Sequence, residues 1–228
     1  MRYEDLNWMD VEKYLQHDDR LMLVIGACEQ HGYLSLLSDV KIPLALADIA
    51  SKRTGILVAP PLNFGASPYF LAYPGTISLR LSTLLNAAED IVRSVYTQGF
   101  RRILVLNGHG GNSGVKIRLT ELVNELTGLK VQWYSWWMTH SVEEVAIRHD
   151  IKPNHANWLE AFLFTIVSGL PEGEKAPPVV PSDVMDAKTA RDVYGDGSFG
   201  GRYRVPEEVM QEILDAALED ILKLLKFD

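Results

Sequence analysis

The order of apolar segments in this sequence predicts an α/β fold with a mostly parallel sheet and helices on both of its faces. Two observations lead to this prediction. Short, continuous apolar runs such as Leu21–Ala27 have the length of strands that are covered on both faces. Longer segments with one apolar helical face lie between these runs. Strands that alternate with helices along a chain form parallel sheets with helices on both sides.

Each predicted element follows from its own pattern and boundaries. The predicted strands are Leu21–Ala27, Gly55–Ala59, Arg102–Leu106 and Lys130–Trp136. The predicted helices are Val11–Gln16, Ile42–Ser51, Ser82–Gln98, Ser113–Leu126, Asn157–Val167 and Pro206–Leu225. Asp10 suits the N-cap of the first helix, and Gly99, Gly128 and Gly169 end three others because glycine readily adopts a left-handed backbone. Pro60 stops the second strand because proline cannot donate to a sheet ladder.

Residues 62–76 and 171–201 are rich in glycine and proline and interrupt the alternation of strands and helices. Long ordered loops in compact domains often border a site, and this is our interpretation of 62–76. For 171–201 we expect a mobile surface loop or a contact between subunits. No change in composition divides the chain, so residues 1–228 are interpreted as a single domain.

The composition argues against several classes of protein. The chain has 22 basic and 30 acidic residues and a formal net charge of −8, which disfavours nucleic acid and anionic membranes as partners. No apolar run reaches membrane-spanning length, and the first residues lack the apolar core of a signal peptide. Cys28 is the single cysteine, which suits a reducing compartment. We therefore expect a cytoplasmic protein.

Glu29, His31 and Asp39 follow the first predicted strand. Residues two apart in an extended segment point to the same side, so Glu29 and His31 can face one point, and Asp39 can fold back towards it. Carboxylates and imidazoles are ligands of zinc, manganese and iron. The alternative interpretation is that Glu29 caps a turn, His31 is a core histidine and Asp39 is the N-cap of the next helix.

His109 lies between glycines in the loop Asn107–Asn112, directly after the third predicted strand. Because the carboxyl ends of parallel strands meet at one edge, His109 is expected near Glu29. Backbone N–H groups of Gly110 and Gly111 can stabilise an oxyanion. A phosphate-binding loop is the alternative, although the lysine of a P-loop is missing.

His155 and Glu160 lie around the start of the fifth predicted helix. Glu160 is surrounded by apolar residues, and a buried carboxylate is costly unless it is paired or bound to a metal. An exposed position at the edge of an amphipathic helix is the alternative interpretation of Glu160.

Taken together, these motifs resemble the creatininase family, whose members are metal-dependent amidohydrolases. The similar segments are Glu29-Gln30-His31-Gly32, Asp39, Pro60-Pro61 through Ser67, Tyr73–Ser78, Asn107–Asn112, His155-Ala156 and Glu160. The resemblance implies a three-layer α/β/α sandwich, often assembled as a hexamer. It implies metal ligands at Glu29, His31, Asp39 and His109, with Asp39 as the bridging carboxylate. Glu160 is our candidate for the last ligand, and His155 matches the position of the proton donor.

The chain departs from the pattern of creatinine-hydrolysing members at several positions. Those members carry a glutamate in the loop of His109, where this chain has Gly111. They carry an aromatic residue and an acid where this chain has Ile151 and Lys152, and the segment 33–38 is one residue shorter here. These differences argue against creatinine itself as the substrate.

The resemblance predicts an enzyme that hydrolyses a C–N bond in a small amide, lactam or formamide. Two divalent cations per subunit (zinc, manganese or iron) would supply the attacking hydroxide, and His155, with Glu160 beside it, would serve catalysis. Thr76 and Ser78 are expected to contact the substrate. The alternatives are a formamide deformylase of flavin and deazaflavin biosynthesis, a non-catalytic small-molecule-binding α/β domain, and a structural subunit that has lost a metal. A homo-oligomer without nucleic acid or membrane partners is expected.

Overall fold

Four parallel strands form the central sheet of this computed structural model, which describes residues 1–228. The strands are β1 (Arg20–Ile25), β2 (Leu57–Val58), β3 (Arg102–Asn107) and β4 (Lys130–Ser135). Their order in the sheet is β2-β1-β3-β4. The register pairs Ile25 with Asn107 and Asn107 with Ser135, so three strands end at the same edge. The predicted parallel sheet is confirmed.

Helices cover both faces of the sheet. They are α1 (Trp8–Leu15), α2 (Ser38–Thr54), α3 (Leu81–Gln98), α4 (Ser113–Glu125), α5 (His140–Arg148), α6 (Ala187–Tyr194) and α7 (Glu207–Leu224). Met22 and Val24 of β1 pack in one core with α2, α5 and α7. Leu21 and Leu23 point the other way and pack with α1, α3 and α4. This alternation explains the continuous apolar strands and confirms the three-layer sandwich.

The predicted helix over residues 157–167 is wrong. Only Trp158–Glu160 forms a single 3-10 turn. The Thr165 hydroxyl donates to the carbonyl of Glu160 at 2.5 Å, and Ser35 N donates to the carbonyl of Thr165 at 2.7 Å. The first bond folds the segment back on itself and the second ties it to the loop after β1, so its apolar residues do not form a helical stripe. Leu163 is 70% exposed as a result.

Helix α2 begins at Ser38, four residues before the predicted start, and Asp39 therefore lies in its first turn and is not the N-cap. Pro43 lies inside the helix and has no N–H to donate to the Asp39 carbonyl four residues earlier. Helix α1 likewise begins earlier than predicted, because Asn7 is its N-cap and Asp10 accepts from the Asn7 N–H.

Three further features of the local structure differ from the predicted elements or were missing from them. Strand β2 has two residues, not the predicted 55–59, and helix α5 was not predicted. Within 171–201, the structure contains the short strand β5 (Glu174–Lys175), paired with β6 (Gly201–Arg202), and the whole of α6. Phe70 of the 62–76 loop packs with Tyr194 of α6, so these two irregular regions fold onto each other.

No helix of the structure is both long enough and apolar enough to cross a bilayer.

Candidate metal centre

The loops after β1 and β3 carry the candidate site at the carboxyl edge of the sheet. Glu29 and His31 follow β1, and His109 follows β3. Asp39 comes from the first turn of α2, which packs against both strands. All four side chains are buried, although they are polar. A buried polar cluster of this kind requires partners, because desolvation without them is costly.

Two glycines allow α2 to approach the strand ends closely. A Cβ on Gly108 would lie 1.8 Å from the Asp39 carbonyl oxygen, and one on Gly26 would lie 2.6 Å from it. Neither contact is possible for a real side chain, so only glycine permits this arrangement. The backbone of Asp39 is thereby held against the ends of β1 and β3, which fixes the position of its carboxylate.

Asp39 lies between two imidazoles and offers one carboxylate oxygen to each. His31 Nε2 is 2.9 Å from Asp39 Oδ1. His109 Nδ1 is 2.9 Å from Asp39 Oδ2. This is the arrangement expected of a carboxylate that bridges two cations, each of which also has a histidine ligand.

The second nitrogen of each imidazole faces a backbone carbonyl. His31 Nδ1 is 3.1 Å from the Glu29 carbonyl oxygen, and His109 Nε2 is 3.0 Å from that of Ala66. A carbonyl can only accept a hydrogen bond, so each of these nitrogens carries a proton. In the neutral imidazoles, the remaining lone pairs then point at the Asp39 oxygens. Lone pairs that face a carboxylate need a cation or a proton between them, as in metal sites whose histidines donate to outer carbonyls.

Two glutamates complete the cluster. His109 Nε2 is 3.5 Å from Glu29 Oε2, and His31 Nε2 is 3.5 Å from Glu160 Oε1. Glu160 Oε2 accepts from the Ala156 N–H at 2.6 Å, which leaves Oε1 directed towards His31. Glu160 is therefore not an exposed residue at the edge of an amphipathic α-helix; it ends a 3-10 turn, and its side chain is 13% exposed.

The cluster divides into two groups of potential ligands that share Asp39. Candidate ligand atoms lie within 4.8 Å of one another in the group Glu29, Asp39 and His109, and again in the group His31, Asp39 and Glu160. A third group, Glu29, His31 and His155, does not include Asp39. Glu29 Oε2, His31 Nε2 and Asp39 Oδ2 are buried without a hydrogen-bond partner. Unsatisfied buried acceptors that converge in this way fit divalent cations.

The pKa values of the clustered side chains also support a site for divalent cations. Burial raises the pKa of Glu29 to about 7. Burial acts to lower the pKa of His109, but the Asp39 carboxylate outweighs it and raises this pKa to about 9. The same competition raises the pKa of His31, because Asp39 and Glu160 face it. Against burial, the imidazoles lower the pKa values of Asp39 and Glu160. Without a metal, protons on the histidines balance the carboxylates.

His155 lies on the open side of the cluster. Its ring stacks on Phe70, with centroids 5.0 Å apart and planes at 13°. Phe199 packs against the ring at 4.8 Å. Burial, followed by the charge on His31, lowers the pKa of His155 to about 4, so the imidazole is neutral.

A cavity of about 490 Å³ opens between the cluster and these aromatic residues. Its lining combines the potential ligands, the loop of His109 and four apolar side chains. The apolar side chains are Phe70, Trp137, Leu159 and Phe199. No lysine or arginine lines the cavity. Its size suits a small molecule.

The predicted oxyanion residues line the cavity, whereas the predicted substrate residues do not. Gly110 and Gly111 line the cavity, and they begin a 3-10 helix, whose first N–H groups have no partner within it. Thr76 and Ser78 do not line the cavity. The Thr76 hydroxyl accepts from Gln30 N at 3.0 Å, and the Ser78 hydroxyl accepts from Ser67 N at 2.8 Å. Both hydroxyls therefore hold neighbouring backbone.

Several residues of the site were not predicted from the sequence. Phe199 belongs to the segment 171–201, in which no sequence motif pointed to a functional residue. It lines the cavity because that segment folds back onto His155. Gln30 lies inside the Glu-Gln-His motif, and its position between two potential ligands was the available signal. Its side chain is buried beside His155.

The fold and the site define an α/β protein with a buried carboxylate–imidazole centre for divalent cations. Residues 4–225 match the family model Creatininase, described as creatinine amidohydrolase. The chain therefore belongs to the creatininase family, and the resemblance predicted from its motifs is confirmed.

Individual relatives match this chain over shorter stretches of sequence, whereas a solved structure matches nearly the whole fold. A creatinine amidohydrolase of Pseudomonas putida is 34% identical over 146 residues, which cover 58% of this chain and 56% of the relative. A mycofactocin precursor peptide peptidase of Mycolicibacterium smegmatis is 34% identical over 99 residues, or 40% of each chain. The matched stretches thus span about half or less of these relatives. A solved manganese creatininase superimposes with a TM-score of 0.79 at 25% identity, covering 97% of this chain and 96% of that one.

Proposed function

We propose that this protein is a metal-dependent amidohydrolase that cleaves a C–N bond in a small amide, lactam or formamide. The observation that carries the proposal is the position of Asp39 between two imidazoles whose free lone pairs face its two oxygens. Membership of the creatininase family supports the same reaction class.

Two divalent cations per subunit fit the two groups of ligands. Glu29, Asp39 and His109 would hold one cation, and His31, Asp39 and Glu160 would hold the other. Zinc, manganese and iron all accept these ligands, and the manganese creatininase supports a divalent metal of this kind. A divalent cation in such a site polarises a carbonyl and lowers the pKa of water towards neutrality.

The remaining residues of the cavity have roles that follow from their positions. His155 lines the cavity; its neutral imidazole would first take up a proton from water and then deliver it to the leaving nitrogen, a role that is typically worth about 10²–10⁴-fold in rate. The N–H groups of Gly110 and Gly111 donate to the carbonyl oxygen as negative charge develops on it. Phe70 and Phe199 shield His155 from bulk water.

One residue of the cavity lining, Gly111, argues against creatinine as the substrate. Gly111 lies where creatinine-hydrolysing relatives are expected to carry a glutamate. A Cβ on Gly111 would lie 2.0 Å from the Ala66 carbonyl oxygen, so this backbone does not accommodate a longer side chain. A substrate other than creatinine is therefore proposed. Formamide cleavage of the kind used in flavin and deazaflavin biosynthesis is one member of the proposed class.

Three wider expectations stay predictions. They are a single domain over residues 1–228, a homo-oligomer such as a hexamer, and a cytoplasmic location. The first two are tested by limited proteolysis and by light scattering of the purified protein.

The proposal is tested by measuring bound metal and hydrolysis of a panel of small amides, lactams and formamides. We expect close to two equivalents of metal in the native protein and loss of activity after chelation. Asp39→Asn should lose both metals and activity, because one carboxylate serves both groups. Asp48→Asn is the matched control, since Asp48 lies on the same helix and pairs with Arg2 away from the site. Hydrolysis that survives both chelation and Asp39→Asn would refute the proposal.

A further inference from the structure

The apolar part of the cavity lining comes from four separate segments of the chain. Phe70 belongs to the loop after β2, and Trp137 belongs to the turn after β4. Leu159 lies in the 3-10 turn Trp158–Glu160, and Phe199 precedes β6. The apolar lining is therefore assembled by the tertiary fold and does not come from one apolar stretch of sequence. A cavity lined in this way binds a ligand partly through the apolar surface that it removes from water.

The acidic side chains of the lining all belong to the candidate metal centre. They are Glu29, Asp39 and Glu160, and all three are proposed ligands of the cations. No lysine or arginine lines the cavity. A negatively charged group held away from the cations would lose its hydration without gaining an ion pair. The lining therefore disfavours an anionic substituent on the substrate.

Phe199 packs against three other aromatic rings. Tyr194 stacks on it, with centroids 4.1 Å apart and planes at 19°. The centroid of His155 is 4.8 Å from that of Phe199, and the centroid of Phe70 is 6.0 Å from it. The Phe199 N–H also donates to the His155 carbonyl oxygen at 3.1 Å. Aromatic pairs at such distances stabilise one another, so the Phe199 ring is held in place before a ligand binds.

The backbone around Phe199 is held by a single ammonium group. Lys175 Nζ donates to the carbonyl oxygens of Tyr194 and Ser198, at 2.6 and 2.7 Å. It also donates to Asp196 Oδ1 at 2.5 Å. An ammonium group has three N–H donors, and these bonds use all of them. Phe199 directly follows this anchored stretch of chain, so its position depends on contacts that are independent of the metal centre.

We propose that the cavity selects an uncharged amide with an aromatic substituent, which packs against Phe199. The inference rests on the proposed function in one respect, that the amide is held at the metal centre. An amide without such a substituent leaves the apolar lining in contact with water and binds more weakly. An anionic group on the aromatic ring weakens binding because no lysine or arginine of the lining can pair with it.

Three hydroxamates test this specificity through binding alone. Acetohydroxamate, benzohydroxamate and 4-carboxybenzohydroxamate share one cation-binding group and differ in the substituent on it. The substituents are a methyl group, a phenyl ring and a phenyl ring with a carboxylate. The affinity of each probe is measured by titration calorimetry with the zinc-loaded full chain. We expect benzohydroxamate to bind about 10-fold or more tightly than either of the other two.

Phe199→Ala should reduce the preference for the phenyl ring. The substitution removes apolar surface that the ring contacts, so the advantage of benzohydroxamate over acetohydroxamate should fall to about threefold or less. Zinc content and the affinity for acetohydroxamate should stay the same, which a general loss of structure would not allow. Phe164→Ala is the matched control, because Phe164 is 41% exposed and does not line the cavity. It should keep the full preference.

Lys175→Met perturbs the same wall of the cavity without changing the residues that line it. The variant keeps the length of the side chain but loses all three bonds to the segment 194–198. The preference for benzohydroxamate should again fall, with zinc content unchanged. Lys188→Met is the control, because Lys188 is an exposed lysine of α6. This variant decides the question if Phe199→Ala does not fold.

The outcomes separate this inference from the proposed function. Equal affinities of the native protein for benzohydroxamate and acetohydroxamate would overturn the inference, and so would equal or tighter binding of 4-carboxybenzohydroxamate. An unchanged preference in both Phe199→Ala and Lys175→Met would overturn it as well. In each of these cases the probes still bind the zinc-loaded protein, and the proposed function is unaffected. A native protein that binds no zinc, or none of the hydroxamates, would refute the proposed function and this inference with it.

Discussion

The two sides of the cavity are constructed differently. The Asp39 side comes from the ends of β1 and β3 and the first turn of α2, where glycines bring backbone against backbone. The His155 side comes from the irregular segments 154–160 and 195–201, which are held by side-chain hydrogen bonds and stacked rings. The first side depends on the packing of the sheet, and the second on a few polar contacts between loops. Of the proposed metal ligands, only Glu160 comes from the second side, so substitutions elsewhere on that side should affect catalysis more than metal binding.

The largest effect is expected from Gly108→Ala, which disrupts the closest contact between α2 and the loop after β3. In Gly108→Ala, the new Cβ would meet the Asp39 carbonyl 1.8 Å away, and α2 must shift. We expect loss of both metals and a fall of about 3 kcal/mol or more in the free energy of unfolding, as for severe overpacking. Metal analysis and denaturant unfolding measure both quantities.

Gly110→Ala is the control for that variant, since it lies in the same loop and a Cβ there would meet nothing within 4 Å. It should bind metal normally and unfold within about 0.5 kcal/mol of the native protein. Equal effects of the two substitutions would show that the close approach of α2 to the loop does not hold the site.

A change on the loop side should separate catalysis from metal binding. His155→Gln removes the proton donor but none of the residues in the two ligand groups that share Asp39. We expect kcat to fall by about 10²–10⁴-fold while the metal content stays the same. If the variant also lost its metals, the two sides would not be independent, and His155 would be assigned to the metal centre.

Metal removal should affect stability through the two groups of ligands that share Asp39. A cation that binds only the folded chain stabilises it by about 2.7 kcal/mol when its free concentration is 100 times Kd. Zinc should therefore raise the unfolding midpoint of the native protein but not that of Asp39→Asn. The thermal transition at fixed free zinc concentrations provides the measurement. An equal increase in both proteins would show that zinc binds at a site that does not include Asp39.

The smallest effect is expected from Ser78, which the sequence suggested as a substrate contact. Its hydroxyl accepts from Ser67 N and donates to the Leu79 carbonyl, and it does not line the cavity. Ser78→Ala should cost about 1 kcal/mol of stability and leave KM unchanged. A several-fold increase in KM, with unchanged stability, would show instead that Ser78 contacts the substrate.

The sequence predicted the sheet side of the site better than the loop side, for a physical reason. Glu29, His31 and His109 follow buried apolar strands, and parallel strands bring their carboxyl ends together. Asp39 lies beside them as expected; its alternative interpretation as an N-cap is wrong, because the helix begins at Ser38 without a side-chain cap. Local patterns therefore sufficed where the sheet determines position.

The loop side depends on contacts between residues far apart in sequence. The segment 157–167 has the composition of an apolar helix, but the Thr165 hydroxyl bonds to backbone carbonyls and interrupts it. Phe199 and Gly197 meet His155 and Gln30 only after 171–201 folds back over the cavity. No periodicity in the sequence encodes such contacts, so neither α6 nor the surroundings of His155 could be predicted.

The most direct test of the account is anomalous diffraction from crystals of the full chain loaded with zinc or manganese. The account predicts two cation peaks that flank the Asp39 carboxylate, one beside His31 and Glu160 and the other beside His109 and Glu29. Peaks elsewhere, or an ordered Asp39 carboxylate with no cation on either side in metal-loaded crystals, would contradict it.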